Sequence, residues 1–103
     1  MDISEALAAF DALSQRTRLE TLRLLVRAGD DGLAAGDIAR SLGVPHNTMS
    51  AHLTVLHAAG LVSSERRSRS VIYRTRYEAL RGLLDYLMTD CCQGRLETVG
   101  NLT

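Results

Sequence analysis

The sequence has no lysine, only two cysteines, no net charge, and no apolar run approaching the roughly 18 residues of a membrane span. Each shortage excludes something. Without a long apolar run, a membrane partner is not expected. Two cysteines at adjacent positions, Cys91 and Cys92, cannot staple a fold. The acidic start Met1-Asp2-Ile3-Ser4-Glu5 is unlike a secretory signal, so a cytoplasmic location is the expectation, and there a thiol pair is normally reduced. Gly-rich phosphate loops, a Ser/His/acid set and a Cys-x-x-Cys pair are also missing, so neither an enzyme nor an organic cofactor is expected. What remains is 103 residues, 46% apolar and 23% charged, enough for one modest core that would gain from dimerisation.

The zero net charge conceals an uneven distribution. Between Gly36 and Arg76 stand Arg40, Arg66, Arg67, Arg69, Arg74 and Arg76, opposed only by Asp37 and Glu65. That segment therefore carries four surplus positive charges and the rest of the chain four negative ones. A basic face on an acidic body is the electrostatic footprint of a nucleic-acid binder. Every basic residue being arginine suits bidentate phosphate contact, although genomic base composition explains it equally well.

Helix formers dominate, and the apolar spacing predicts a mainly α fold of five helices with a two-stranded hairpin. Asp2 and Glu5 have capping-box spacing before Ile3, Leu7, Phe10 and Leu13, which share one face. Ser14 is positioned to cap a second helix carrying Leu19, Leu22, Leu25 and Val26, ended by Gly29-Asp30-Asp31-Gly32. A short third helix, Asp37 to Leu42, closes at Gly43. Pro45 opens a fourth, with Met49, Leu53 and Leu56 inward, and Gly60 ends it. Strands are expected at Leu61–Ser64 and Val71–Arg74 around the turn Arg66-Arg67-Ser68-Arg69. A last helix starts near Tyr77 with Leu80, Leu83, Leu84, Leu87 and Met88. Ala34 or Ala35 and Pro45 stand where helix starts favour Ser or Thr, and Ser68 where the hairpin turn favours Gly.

The fourth helix carries the DNA reading. With Met49, Leu53 and Leu56 buried, His46, Asn47, Thr48, Ala51 and His52 fall outward or on the flank, with Ser50 near the boundary. Asn reads adenine bidentately, Ser, Thr and His take varied edges or phosphates, and the Ala51 methyl matches a thymine methyl. The plain alternative is a solvated polar face. The short preceding helix, the tight turn and the arginine hairpin favour DNA. Four arginines at or near the hairpin tip, Arg66, Arg67, Arg69 and Arg74, suit phosphate contact, one of them entering the minor groove. The competing account is that they discourage edge-to-edge aggregation.

These segments together resemble the ArsR/SmtB family of winged-helix metalloregulatory repressors over nearly the whole chain. The resemblance is carried by Leu13-Ser14-Gln15-Arg16-Thr17-Arg18-Leu19, Asp37-Ile38-Ala39, Thr48-Met49-Ser50-Ala51-His52-Leu53, Leu56 with Ala59-Gly60-Leu61-Val62, and Val71-Ile72-Tyr73-Arg74. It implies a dimeric winged helix-turn-helix protein. Residues 1–32 would hold helices one and two, 33–60 the helix-turn-helix, 61–76 the wing, 77–90 a dimerisation helix and 91–103 a sensor tail. It also implies a homodimer paired through the first and last helices, here through Leu7, Phe10, Leu80, Leu84 and Leu87. A palindromic operator, and repression relieved when a sensor site fills, complete what it implies.

Departures from the family narrow the effector. The segment Leu33-Ala34-Ala35-Gly36-Asp37 lacks the Cys-x-Cys of members that sense metal on the third helix. The zinc site of the last helix is missing too, since His46, His52 and His57 all fall in the fourth helix. Asp90-Cys91-Cys92-Gln93-Gly94-Arg95 resembles the tail of arsenite-responsive members, but Thr98 lies near the place of their third cysteine. Neighbouring Cα atoms are about 3.8 Å apart, so both sulfurs reach one large soft atom once the chain leaves the helix. Soft thiolates select soft centres. The expected metal ligands are therefore Cys91 and Cys92, and the effector As(III), with Sb(III) or an organoarsenical as chemical equivalents. A thiol redox or persulfide sensor of the same fold is the alternative, and an inert buried cysteine pair the plainest one.

Overall fold

The computed structural model describes residues 1–92. Helix α1 (Ile3–Leu13) begins with the anticipated reciprocal cap: the Glu5 N–H donates to the Asp2 carboxylate at 2.8 Å, and the Asp2 N–H to Glu5 Oε1 at 3.0 Å. Helix α2 (Arg16–Ala28) departs from expectation at its start. Gln15, not Ser14, caps it, accepting from the Arg18 N–H at 2.9 Å. Ser14 instead ends α1, its hydroxyl donating to the Asp11 carbonyl at 2.7 Å. Two residues between helices leave room for one cap of each kind, and the longer Gln15 side chain reaches forward.

After a 3₁₀ turn (Gly29–Asp31), the chain forms strand β1 (Leu33–Ala34), then α3 (Ala35–Leu42), α4 (His46–Ala58), β2 (Val62–Arg67), β3 (Ser70–Thr75) and α5 (Tyr77–Cys92). The sheet is antiparallel in the order β1-β3-β2, so the hairpin has a third strand that alternation could not reveal in two residues. Gly32 makes that pairing possible. Its φ is +65°, and a Cβ there would stand 2.5 Å from the Tyr73 carbonyl oxygen.

The core gathers Leu22 and Leu25 of α2, Ile38 of α3, Met49, Leu53 and Leu56 of α4, Leu61 and Val62 leading into β2, and Leu83 of α5. Helix α1 meets it through the buried Ala6, Ala9 and Ala12, with Leu13 packed partly buried at its end. Its large residues Ile3, Leu7 and Phe10 face outward, as do Leu84 and Leu87 of α5. Tyr77 ties α5 to α2, its hydroxyl donating to the Val26 carbonyl at 3.1 Å. Among the described residues no helix is long and apolar enough to cross a membrane.

Helix α5 extends through Cys92, two residues beyond the expected end, so the first two positions of the expected sensor tail belong to the helix. Residues 93–103, the rest of that tail, and the thiols of Cys91 and Cys92 lie outside the described residues.

Candidate nucleic-acid interface

The turn between α3 and α4 is tight because Gly43 takes the left-handed conformation, φ +66° and ψ +34°. The Gly43 N–H donates to the Arg40 carbonyl and the Val44 N–H to that of Ala39, closing α3. Pro45 then enters α4, and neither helix start has a side-chain cap, at Ala34 or at Pro45. Met49, Leu53 and Leu56 are fully buried, which fixes the roll of α4 about its axis. His46, Asn47, Thr48, Ser50 and Ala51 consequently stand exposed and His52 is half-buried, as the helical period requires. This face is polar, short side chains standing beside the imidazoles of His46 and His52.

His52 is held from behind. Its Nδ1 lies 3.4 Å from an Arg18 guanidinium nitrogen, and the same guanidinium donates through Nε to the Ala12 carbonyl at 2.6 Å. The sequence gives little sign of this contact, which spans 34 positions. The Leu13–Leu19 segment carries part of the family resemblance, and no spacing within it points to His52.

The wing differs from its expected form. Both strands are longer, so Arg66 and Arg67 are strand residues and the loop is only Ser68-Arg69. Ser68 has φ +56° where a glycine would be relaxed, and Arg69 has no positive φ; a II′ hairpin turn has this pattern. Pairing of Glu65 with Ile72, Ser63 with Arg74 and Arg67 with Ser70 places Glu65, Arg67 and Arg74 on one face. Arg66, opposite Val71, lies on the other, with Ser64 and Tyr73.

Glu65 engages both arginines of its face, Arg74 at 2.8 Å and Arg67 at 3.5 Å. The Arg74 hydrogen bond, then the charge of Arg67, hold its carboxyl below the usual glutamate range. Arg74 also donates to the Asp30 carbonyl at 2.8 Å, so it fastens the wing to the body. Arg40 pairs with Asp37, and Arg76 with Glu78 at 3.1 Å. Of the six arginines in the basic segment, four thus have carboxylate partners. Arg66 and Arg69 have none among the described residues. Arg69 also lines a 330 Å³ recess with Ser70, Val71, Arg40, His46 and the start of α3, joining the wing to the head of α4.

The pairing residues of the resemblance divide in two. Leu7, Phe10, Leu84 and Leu87 are exposed, whereas Leu80 packs half-buried against the core. No group of three or more His, Cys, Asp or Glu among the described residues is placed to hold a metal ion.

Residues 13–65 match the family model described as a helix-turn-helix domain. The chain is 30% identical over 88 residues to the HTH-type transcriptional regulator YgaV of Escherichia coli, covering 85% of this chain and 87% of that protein. Its fold is similar to the ArsR-like transcriptional regulator from Rhodococcus sp. RHA1, with a TM-score of 0.77, 29% identity, and coverage of 97% and 93% of the two chains. It is also similar to a homodimeric winged helix-turn-helix DNA-binding domain from Mycobacterium bovis, a possible ArsR-family regulator (TM-score 0.70, 29% identity, 85% and 81% covered). The hairpin expected from the sequence is the wing of this fold, which the Mycobacterium bovis DNA-binding domain shares. The chain belongs to the helix-turn-helix transcriptional regulators and has the winged fold of their ArsR-like branch.

Proposed function

We propose that the chain acts in the cytoplasm as a homodimeric repressor of a palindromic operator. Two copies pair through α1 and α5, lay one α4 each in major grooves about 34–36 Å apart, and set Arg66 and Arg69 on the flanking phosphates. One observation carries this reading: a polar α4 face occurs in the same fold as a second exposed surface of large apolar side chains. Leu7 and Leu84 are 61% and 60% exposed, and such a surface is stable in water once a partner covers it. The homodimeric assembly of the similar Mycobacterium bovis domain supports a second copy as that partner.

Cys91 and Cys92 take up the effector, trivalent arsenic or antimony or an organoarsenical. Two thiols supply two of the three bonds of pyramidal arsenic. The third comes from hydroxide, a small thiol, the partner subunit or an organic group already on arsenic. Because α5 includes both cysteines, drawing two neighbouring helical positions onto one atom requires its last turn to open. That change sits on the helix that pairs the subunits. A coupling of about 1–3 kcal/mol weakens operator binding about 5- to 150-fold.

A thiol redox or persulfide-sensing repressor is the second reading, favoured by the thiol count: two sulfurs complete a disulfide but leave an arsenic pyramid one bond short. Fluorescence anisotropy with a duplex enriched from a random pool separates the readings. Arsenite releases the native protein, and Cys91→Ser/Cys92→Ser stays bound. Release of both alike removes the assigned site. Release by persulfide or peroxide alone, with two hydrogens lost to a disulfide or sulfur or oxygen added by mass, selects the second reading.

A further inference from the structure

We infer that Arg18 is a positioning residue that sets which hydrogen-bonding group His52 presents to DNA. The inference rests on α4 being the reading helix and adds to it the chemical sense of one contact.

Arg18 lies in the first turn of α2, with its backbone N–H fixed by the Gln15 side chain at 2.9 Å. Its guanidinium is clamped against the end of α1, donating through Nε to the Ala12 carbonyl at 2.6 Å and through Nη2 to that of Asp11 at 3.5 Å. Both carbonyls belong to the last turn of α1, where that of Ala12 lacks a helical partner and that of Asp11 also accepts from Ser14. The planar fork is therefore oriented before anything binds. Its remaining arm, Nη1, meets His52 Nδ1 at 3.4 Å.

A guanidinium has donors only. The Nδ1 facing it must supply a lone pair, which leaves the ring proton on Nε2. A doubly protonated ring would set N–H against N–H. Among the described residues Nε2 has no hydrogen-bond partner, and the one buried side-chain polar atom without a partner is the Thr75 hydroxyl. The His52 Nε2–H is therefore open to solvent on the flank of the α4 face. His46 and His57, on the same helix, have neither ring nitrogen engaged by a described residue.

His52 consequently reads as a donor. In the major groove it pairs with an acceptor, purine N7, guanine O6 or thymine O4, and discriminates against the amino groups of cytosine and adenine. Arg18 itself touches no base. It acts through the ring.

Ring-nitrogen NMR shifts of the full-length, ¹⁵N-labelled chain test the first half without DNA. His52 should show a bare Nδ1 and a protonated Nε2. Arg18→Met should bring it to the mixed tautomers of a free imidazole, and Arg18→Lys, which keeps a donor, should restore part of the preference. A native His52 protonated on Nδ1 overturns the inference whether or not DNA binds. The second half uses the duplex enriched from a random pool, with base analogues that delete one major-groove acceptor at a time. One deletion should weaken the native protein about 2- to 13-fold, as for a single hydrogen bond, and leave His52→Ala unaffected. If no deletion separates native from His52→Ala, or a neutral methylphosphonate does so instead, base reading by His52 is overturned. Failure to enrich any duplex instead sinks the reading of α4, while the ring shifts still stand or fall alone.

Discussion

Helices α1 and α4 have 11 and 13 residues, 8 and 6 of them apolar, and they place their large apolar side chains in opposite directions. Helix α4 spends its large side chains on the core, burying Met49, Leu53 and Leu56, and shows polar groups outside. Helix α1 buries Ala6, Ala9 and Ala12 and shows Ile3, Leu7 and Phe10. Alanine lets the α1 backbone lie close to the core while filling little of it, so its bulk is left for a second surface. In α4 the bulk holds the fold and the polar side is free to approach a duplex. The same amphipathic logic thus builds a pairing helix and a reading helix, distinguished by which face carries volume.

The sharpest way to break this comparison is to cut the same residue type from each helix. Leu53→Ala deletes a fully buried side chain and should cost about 2–5 kcal/mol of unfolding free energy. Leu7→Ala should change the stability of an isolated subunit by no more than about 0.5 kcal/mol. Denaturant titration at high dilution, where subunits are apart, measures both. Sedimentation should then show the Leu7→Ala dimer weakened at concentrations where the native chain is paired. Equal losses of subunit stability would mean that α1 serves the core as α4 does.

The wing repeats the contrast within one hairpin. One face holds Glu65 between Arg67 and Arg74, and the other holds Arg66 with no carboxylate among the described residues. Phosphate contact makes binding salt-dependent, the log–log slope falling by about 0.9 for each phosphate neutralised. Arg66→Ala and Arg69→Ala should each flatten the slope by about that amount, and Arg67→Ala by less. Glu65→Gln should act in the opposite sense, strengthening binding and steepening its salt dependence. Identical slopes for all three arginine variants would erase the distinction between the faces.

Much of this was legible in the residues. The capping box at Asp2 and Glu5, the buried triad of α4, the Gly43 turn and the wing all follow from local spacing, because each is decided within a few positions. Two residues of strand have no period, so β1 was hidden; its existence depends on Gly32 passing against β3. Ser14 and Gln15 compete for adjacent caps, and side-chain reach decides between them. The basic segment was visible as composition, but its neutralisation was not, since Arg74 meets Glu65 only after the hairpin register is set. Arg18 was the least legible of all. Its partners lie on two other helices, and no spacing joins them.

The smallest expected effect is also the most local. Glu65 ionises more easily in the folded wing than as an ordinary glutamate, first because Arg74 donates to it and then because Arg67 lies close. A carboxyl with a depressed folded-state pKa favours folding above its unfolded value, and that contribution is lost as pH falls through the folded one. The hairpin should therefore loosen slightly in acid, at a pH below the ordinary glutamate value of 4.5. The group is exposed and screened by water, so global stability should hardly register it. NMR titration of the Glu65 carboxyl can. Arg74→Met should return it further toward the ordinary value than Arg67→Met, because the contact at 2.8 Å is a hydrogen bond and the one at 3.5 Å mostly a charge. If neither substitution moves the titration, the carboxylate is not holding the two arginines. Arg67 would then be as free for DNA as Arg66, and the two faces of the wing would be electrostatically alike.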